Sequence, residues 1–409
     1  MTIGQQETST PHPADMLTEE FAQDPYPGFA RLRDGGTVDR FRLKTFSTAV
    51  HAWLVTRHAD ARRLLADPRL SKDAGRIASV IRAQAVDPDE HVTDNPPSML
   101  FSDPPDHTRL RRIVGGAFTT RRVQGLIPVI ERFTDAALDR IVAGETVDFV
   151  TDVALPVPMA VIGSLLGIPE EAFDDFRRWS AELGSVGTSL ADKQQVIADA
   201  YGYVRDLIAV KRTAPADDLI SALIAADDEG GRLATAELLS TVFLMMNAGY
   251  ETTAAMLSSA VLLLHRQPEL RAELAADPGR VPAFVEEVLR YESPLNLSTI
   301  RFTEQEVTVG DRVIPAGEIV FISLCAANRD ADRFPDPDAV RLDRDGHLAF
   351  GHGIHHCLGA PLARLEGRVV LQRLLARHPH WRLAVADDEV AWRHSLQFRA
   401  IESLPVRFG

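Results

Sequence analysis

A chain of 409 residues, 45% of them hydrophobic, can bury a large core, which excludes a disordered or fibrous protein. Its formal charge of -14 disfavours nucleic acid or an anionic membrane as the main partner, because either selects a basic surface. Two cysteines, Cys325 and Cys357, are too few for the disulfide framework of a secreted scaffold and leave a thiol for chemistry.

Glycines and prolines are spread along the chain without a linker or repeat, so one domain is expected over 1–409, with 1–20 as a flexible N-terminal segment. No uncharged apolar run is long enough to span a bilayer and no signal-like segment opens the chain, which predicts a cytoplasmic, unanchored protein. Apolar residues three or four apart predict helices over 58–65, 126–142 and 194–211, with short strands at 52–55 and between 301 and 321. The class is mainly α with minor β. Arg109, Arg112, Arg121 and Arg122 read either as a local basic patch or as an ordinary solvated face. Gly184, Ser185, Gly187 and Thr188, between two helical stretches within 173–203, read as the tip of a mobile lid or as a plain turn.

The stretch 235–265 predicts one long helix, opened by Thr235 as a capping residue with Glu237 behind it and stopped before Pro268. It is apolar nearly all round, hence buried, except in its middle. There Ala248-Gly249-Tyr250-Glu251-Thr252-Thr253 puts a weak helix former, an acid and two hydroxyls where a core helix should hold aliphatic residues. Either polar chemistry lies beside it, or Thr252 bonds back to the Ala248 carbonyl and bends the helix.

The segment Phe350-Gly351-His352-Gly353-Ile354-His355-His356-Cys357-Leu358-Gly359 then delivers a cysteine to the start of an apolar-periodic helix at 360–375. The helix dipole and N–H groups there are expected to lower the thiol pKa, and Gly353 and Gly359 to permit unusual torsions and the close approach of a flat ligand beside Phe350. A zinc or copper site with His352, His355 and His356 is an alternative, although adjacent residues converge poorly on one ion. A nucleophilic Cys–His pair is another, but it lacks an orienting partner.

Phe350-x-x-Gly353-x-x-x-Cys357-x-Gly359 resembles the haem-binding loop of the cytochrome P450 superfamily. Ala248-Gly249-x-Glu251-Thr252 resembles its oxygen-activating segment and Glu287-Val288-Leu289-Arg290 its Glu-x-x-Arg helix, all in the family's order. The run 103–111 is similar to the soluble bacterial, actinomycete-type branch, which includes many antibiotic-tailoring enzymes, and the likeness covers essentially the whole chain. The resemblance implies the P450 fold, a long central helix over haem with small β-sheets. It implies haem b (iron protoporphyrin IX) with Cys357 as axial ligand, Phe350, Gly353, Gly359, Ala248 and Gly249 beside the macrocycle, and His107, Arg111, Arg301 and His355 on the propionates. Arg301 as an exposed strand residue is the alternative. A thiolate ligand pushes electron density onto iron and favours oxygen–oxygen cleavage. On the opposite face Glu251 and Thr252 are implied to relay protons, with Gly249 making room for dioxygen.

Glu287 and Arg290, three apart on one helix face, are implied to form a buried structural pair. The family's third arginine aligns with Ala339, so either Arg341 substitutes from a shifted register or the third member is missing. Cys325 is expected to be a buried, inert thiol. By resemblance Met99, Leu100, Leu244, Leu295, Asn296, Leu297, Leu396, Gln397 and Phe398 surround the substrate, with Asn296 and Gln397 as orienting groups, and the lining favours a rigid lipophilic molecule: a macrolide or other polyketide, a terpenoid or a steroid. The expected reaction is hydroxylation or epoxidation with O2 in secondary-metabolite tailoring. No flavin or dinucleotide motif is present, so NAD(P)H electrons are expected through a separate ferredoxin and ferredoxin reductase docking near Arg109, Arg112 and Arg364 on a monomer. A haem-containing ligand-binding or partner-recruiting protein without turnover is the alternative, and a peroxide-driven enzyme a third; the presence of both Glu251 and Thr252 speaks against each.

Overall fold

Stretches with helical periodicity fold as expected, and their apolar stripes draw them together. A computed structural model describes residues 18–36, 38–45, 48–84, 98–184, 190–226 and 233–409. The helices that build the site are α1 (His58–Leu65), α2 (Asp106–Ala117), α3 (Ile127–Leu138), α4 (Pro156–Leu166), α5 (Phe173–Gly184), α6 (Leu190–Thr213) and α7 (Leu219–Ala225). They continue as α8 (Thr235–Ala248), α9 (Glu251–Arg266), α10 (Val281–Tyr291) and α11 (Ala360–Arg377). Residues 185–189, the tip of the expected lid, lie outside the described residues, as do 1–17 of the expected N-terminal segment. Thr18 already caps a short helix, Glu19–Gln23, accepting from the Phe21 N–H at 3.2 Å.

The predicted 235–265 helix is two helices. Ala234, not Thr235, is the N-cap, and its N–H donates to the Glu237 carboxylate at 2.8 Å. Regular structure stops after Ala248 and resumes at Glu251, with Tyr250 at φ -119° and ψ -39°. From Thr253 to Leu264 every residue of α9 is buried, so this helix forms the axis of the core, packed against α4, α10 and α11. It ends at Gln267 because Pro268 opens the next helix, Pro268–Ala276.

The strands are short. β1 (Val38–Thr45), β2 (Thr48–Val55), β3 (Leu70–Ser71), β5 (Arg301–Thr303) and β8 (Ile319–Ile322) form one sheet in the order β1-β2-β8-β5-β3, with β2 and β8 parallel and the other pairs antiparallel. β4 (Thr146–Asp148), β9 (Trp381–Leu383) and β10 (Pro405–Phe408) form a second in the order β4-β10-β9, and β6 (Val307–Val309) with β7 (Arg312–Ile314) a hairpin. In the β3–β5 register Ser71 faces Phe302, which carries the next residue, Lys72, alongside Arg301. No helix among the described residues is long and apolar enough to cross a membrane.

Candidate active site

The cysteine loop is built on two left-handed glycines, Gly351 (φ 70°) and Gly353 (φ 76°). A Cβ on Gly353 would also meet the Leu65 carbonyl oxygen at 2.9 Å, so the end of α1 requires glycine here as well. The Cys357 N–H donates to the Phe350 carbonyl at 2.9 Å, and the N–H groups of Gly359 and Ala360 at the start of α11 point at Sγ. Burial nevertheless holds the thiol above its ordinary pKa, outweighing those N–H groups and Arg111. The expected lowering by the N–H groups at the helix start is present, and burial opposes it. Cys357 is solvent-accessible. An added Cβ on Gly359, whose φ is an ordinary -77°, would touch only Sγ, at 3.8 Å, so this glycine leaves room for a ligand instead of serving a torsion. Among the described residues no three His, Cys, Asp or Glu side chains are gathered to hold a metal, which removes the zinc alternative.

Buried basic residues lie near this loop. Lys72, His107 and Arg301 are 1%, 2% and 3% exposed, and the rings of His107 and His355 lie 4.2 Å apart. Arg301 is thus a buried strand residue, not an exposed one. Both ring nitrogens of His107 and Nε2 of His355 are buried without a hydrogen-bond partner. Burial, then Lys72, His107 and Arg301, push the His355 pKa down to about 2; burial also holds Lys72 well below its usual range and brings Arg301 to about 10. The carboxylate that acts on them, Asp103, is already bonded by the Ser71 hydroxyl and the Lys72 N–H. Such a cluster lacks anionic acceptors, and the two propionates of haem are groups of that kind, so these residues fit the cofactor. Lys72 is an addition to the expected set; its only signal was the strand register. Arg111 donates through Nη2 to the His356 carbonyl at 2.6 Å, bracing the cysteine loop.

On the other side lies the neck between α8 and α9. Ala248 is exposed to the open space, and its carbonyl accepts from the Thr252 hydroxyl at a long 3.4 Å, so the back-bonding expected as an alternative does occur. Gly249 answers to packing: a Cβ there would meet the Met245 carbonyl at 2.7 Å and Ile162 of α4 at 2.9 Å. The Glu251 carboxylate is held at both oxygens, Oε2 by Arg393 at 3.3 Å and Oε1 by the Tyr250 hydroxyl at 3.4 Å.

Behind the cysteine loop, Arg290 donates to both oxygens of Glu287 at 2.7 Å, with both side chains buried, and to the carbonyls of Asn328, Pro337 and Ala339. Arg341 meets Glu287 only through its backbone N–H; its side chain turns out to Asp343. Arg344 lies 3.9 Å from Glu287 and is the third arginine. Phe350 is covered by the Arg364 guanidinium, 4.5 Å from the ring centroid. Of the expected docking residues, Arg364 is paired with Glu286 and Arg109 with Glu237, both arginines remaining partly exposed.

Of the residues expected around the substrate, Leu295 bridges Phe398, and the Asn296 N–H donates to the Gln397 carbonyl at 2.8 Å. Asn296 Nδ2 also donates to Ser395 and Phe398 carbonyls, so this amide braces the turn and its expected orienting role is reduced to Oδ1, which is buried and unpartnered. Leu297 is 1% exposed and packs in the core with Phe29 and Leu54. Met99 is likewise core, whereas Leu100, Leu244, Leu396 and Phe398 are half-buried and Gln397 is exposed. Cys325 is fully buried, its thiol pushed up to about 12 by burial, as befits an inert residue.

A family model described as Cytochrome P450 matches residues 205–383. Cytochrome P450 107B1 of Saccharopolyspora erythraea is 44% identical over 396 residues, 96% of each chain, and the vitamin D(3) 25-hydroxylase of Pseudonocardia autotrophica is 43% identical over 403 residues, 97% of this chain and 96% of its own. The solved structure of the P450 monooxygenase TamI with tirandamycin C bound superimposes with a TM-score of 0.87 at 40% identity, covering 96% of this chain and 99% of that one. The protein belongs to the cytochrome P450 family. It is a P450 monooxygenase, and haem iron is the family's cofactor.

Proposed function

We propose that this enzyme hydroxylates or epoxidises a lipophilic small molecule in secondary-metabolite tailoring, using electrons from a ferredoxin and its NAD(P)H-dependent reductase. The observation that carries this reading is the solvent-accessible Cys357 sulfur in a glycine-built loop, together with buried Lys72 and Arg301 beside His107 and His355, whose ring nitrogens lack partners. Cys357 would hold the iron and the cationic cluster the propionates; bound haem supplies the redox chemistry that transfers one oxygen atom of dioxygen to substrate. Thr252, tied only by its long bond to the Ala248 carbonyl, passes protons into the site, and Glu251, 15% exposed, receives them from solvent.

Half-buried Leu100, Leu244, Leu396 and Phe398 favour an apolar substrate, in keeping with the vitamin D(3) hydroxylase and tirandamycin C-bound relatives. Exposed Arg112 and Arg121 line a cleft of about 1010 Å³ in which Arg122 pairs with Asp217, and with partly exposed Arg109 and Arg364 they offer cations to an acidic ferredoxin. A cytoplasmic monomer fits this division of labour.

The test is the reduced carbon monoxide spectrum. The wild-type protein is expected to show the far-red Soret band of a thiolate ligand, and Cys357→Ser to lose it. A mutant that keeps the wild-type band removes Cys357 as the ligand.

A further inference from the structure

Glu251 does not hang freely in the neck. It opens α9, and its carboxylate is clamped from the chain's other end: Arg393 Nη1 reaches Oε2 at 3.3 Å across 142 residues of sequence, with side-chain exposures of 31% for the arginine and 15% for the acid. Arg393 is itself fixed. Its N–H donates to the Ala400 carbonyl at 2.8 Å, which closes the base of the turn that carries Ser395 to Phe398, and its guanidinium lies 6.0 Å from the Phe398 ring centroid. The same turn is braced from the other side by Asn296. The other polar group on Glu251 is the Tyr250 hydroxyl, from a residue 3% exposed whose ring meets Phe176 of α5 edge-on at 5.7 Å.

An ion pair only partly open to solvent fixes the direction of a carboxylate and limits its swing. A relay acid must swing between solvent and the site. The strength and aim of this one contact therefore set how Glu251 works.

We propose that Arg393 is the positioning residue for Glu251, holding its carboxylate at the neck and tying proton entry to the turn 395–398 that faces the substrate. This rests on the relay reading of Glu251 given above. Arg393 touches neither substrate nor cofactor; it acts through Glu251.

The experiment reads the infrared C–O stretch of the haem-loaded, reduced protein with carbon monoxide as the probe, at one fixed pH. Glu251→Gln is expected to move the band, because a carboxylate aimed into the neck contributes to the field there. Arg393→Met, which keeps an apolar stem beside Phe398 but removes the charge, is expected to move and broaden it by releasing that carboxylate, and Arg393→Lys to return it most of the way. Should Arg393→Met fail to load haem, Arg393→Gln carries the same expectation, and the lysine variant, with its single-pronged contact, is expected to lie between it and wild type. A band unmoved in the charge-removing variant while Glu251→Gln moves it overturns the role of Arg393 and leaves the relay standing. A band that Glu251→Gln leaves unmoved overturns the relay reading itself, and the proposal with it.

Discussion

Arg344 lies 3.9 Å from the Glu287 carboxylate, inside the same buried knot that holds Arg290, while Arg341 supplies that carboxylate with nothing but a backbone N–H at 2.8 Å. Arg344 also donates to the carbonyls of Pro335, Asp336 and Ala339, so it ties the loop that precedes the cysteine segment to α10. Arg341→Ala should leave thermal unfolding and haem retention unchanged. Arg344→Ala should lower the unfolding temperature, and Glu287→Ala, which strands buried Arg290, should cost about 3–5 kcal/mol or prevent haem loading. Equal effects of Arg341→Ala and Arg344→Ala would show that the third arginine has been misassigned.

Lys72 leads to a prediction of opposite sign in the two states of the protein. Without haem its buried ammonium sits beside Arg301 and is held well below its usual pKa by burial and that arginine, so Lys72→Met should raise the thermal stability of the haem-free protein. With haem the same change removes a charge-assisted contact worth about 1.5–3 kcal/mol, which corresponds to haem loss faster by about tenfold or more. Transfer of haem to an excess of an apo-globin measures the rate. Unchanged transfer would separate Lys72 from the propionate cluster.

Glu286 supplies a pH dependence outside the haem pocket. Burial opposes its ionisation, but hydrogen bonds from His347 and Arg364 outweigh burial and hold its pKa down to about 2, below the ordinary 4.5. A lowered carboxylate pKa contributes stability that is fully present above the ordinary value and is lost as pH falls from about 4.5 toward about 2. Unfolding measured across that window should be steeper in wild type than in Glu286→Gln, with the two curves running parallel above it. Identical slopes would rule out this ion pair as a source of acid sensitivity.

What could be read in the sequence was local. The cysteine loop announces itself within ten consecutive residues, and the break at Gly249-Tyr250 shows as polar residues inside an apolar helix. The helix His58–Leu65 has the expected bounds because its periodicity needs no tertiary help. What stayed hidden is created by distance along the chain. Lys72 joins the cluster through antiparallel register with a strand beginning at Arg301, Arg393 reaches Glu251 across 142 residues, and Arg109 pairs with Glu237, 128 residues away. At Cys357 the N–H groups that lower the thiol pKa are legible locally, whereas the burial that opposes them is a property of the whole fold.

Thr252 is the residue on which the monooxygenase reading can be tested without knowing more than one turned-over compound. Its hydroxyl is joined to the Ala248 carbonyl at 3.4 Å, a contact long enough to exchange for another acceptor, at the point where α8 gives way to α9. Thr252→Ala removes the hydroxyl while keeping a helix-compatible side chain, so haem loading and the carbon monoxide spectrum should stay as in wild type. Proton delivery should fail: NAD(P)H oxidation continues, hydrogen peroxide accumulates, and product formation falls by about tenfold or more. Thr252→Ser, which restores the hydroxyl, should recover most of the coupling. Product, peroxide and NAD(P)H measured in the same reaction mixture decide the matter, since wild-type coupling in Thr252→Ala would leave the neck between α8 and α9 without the catalytic role assigned to it.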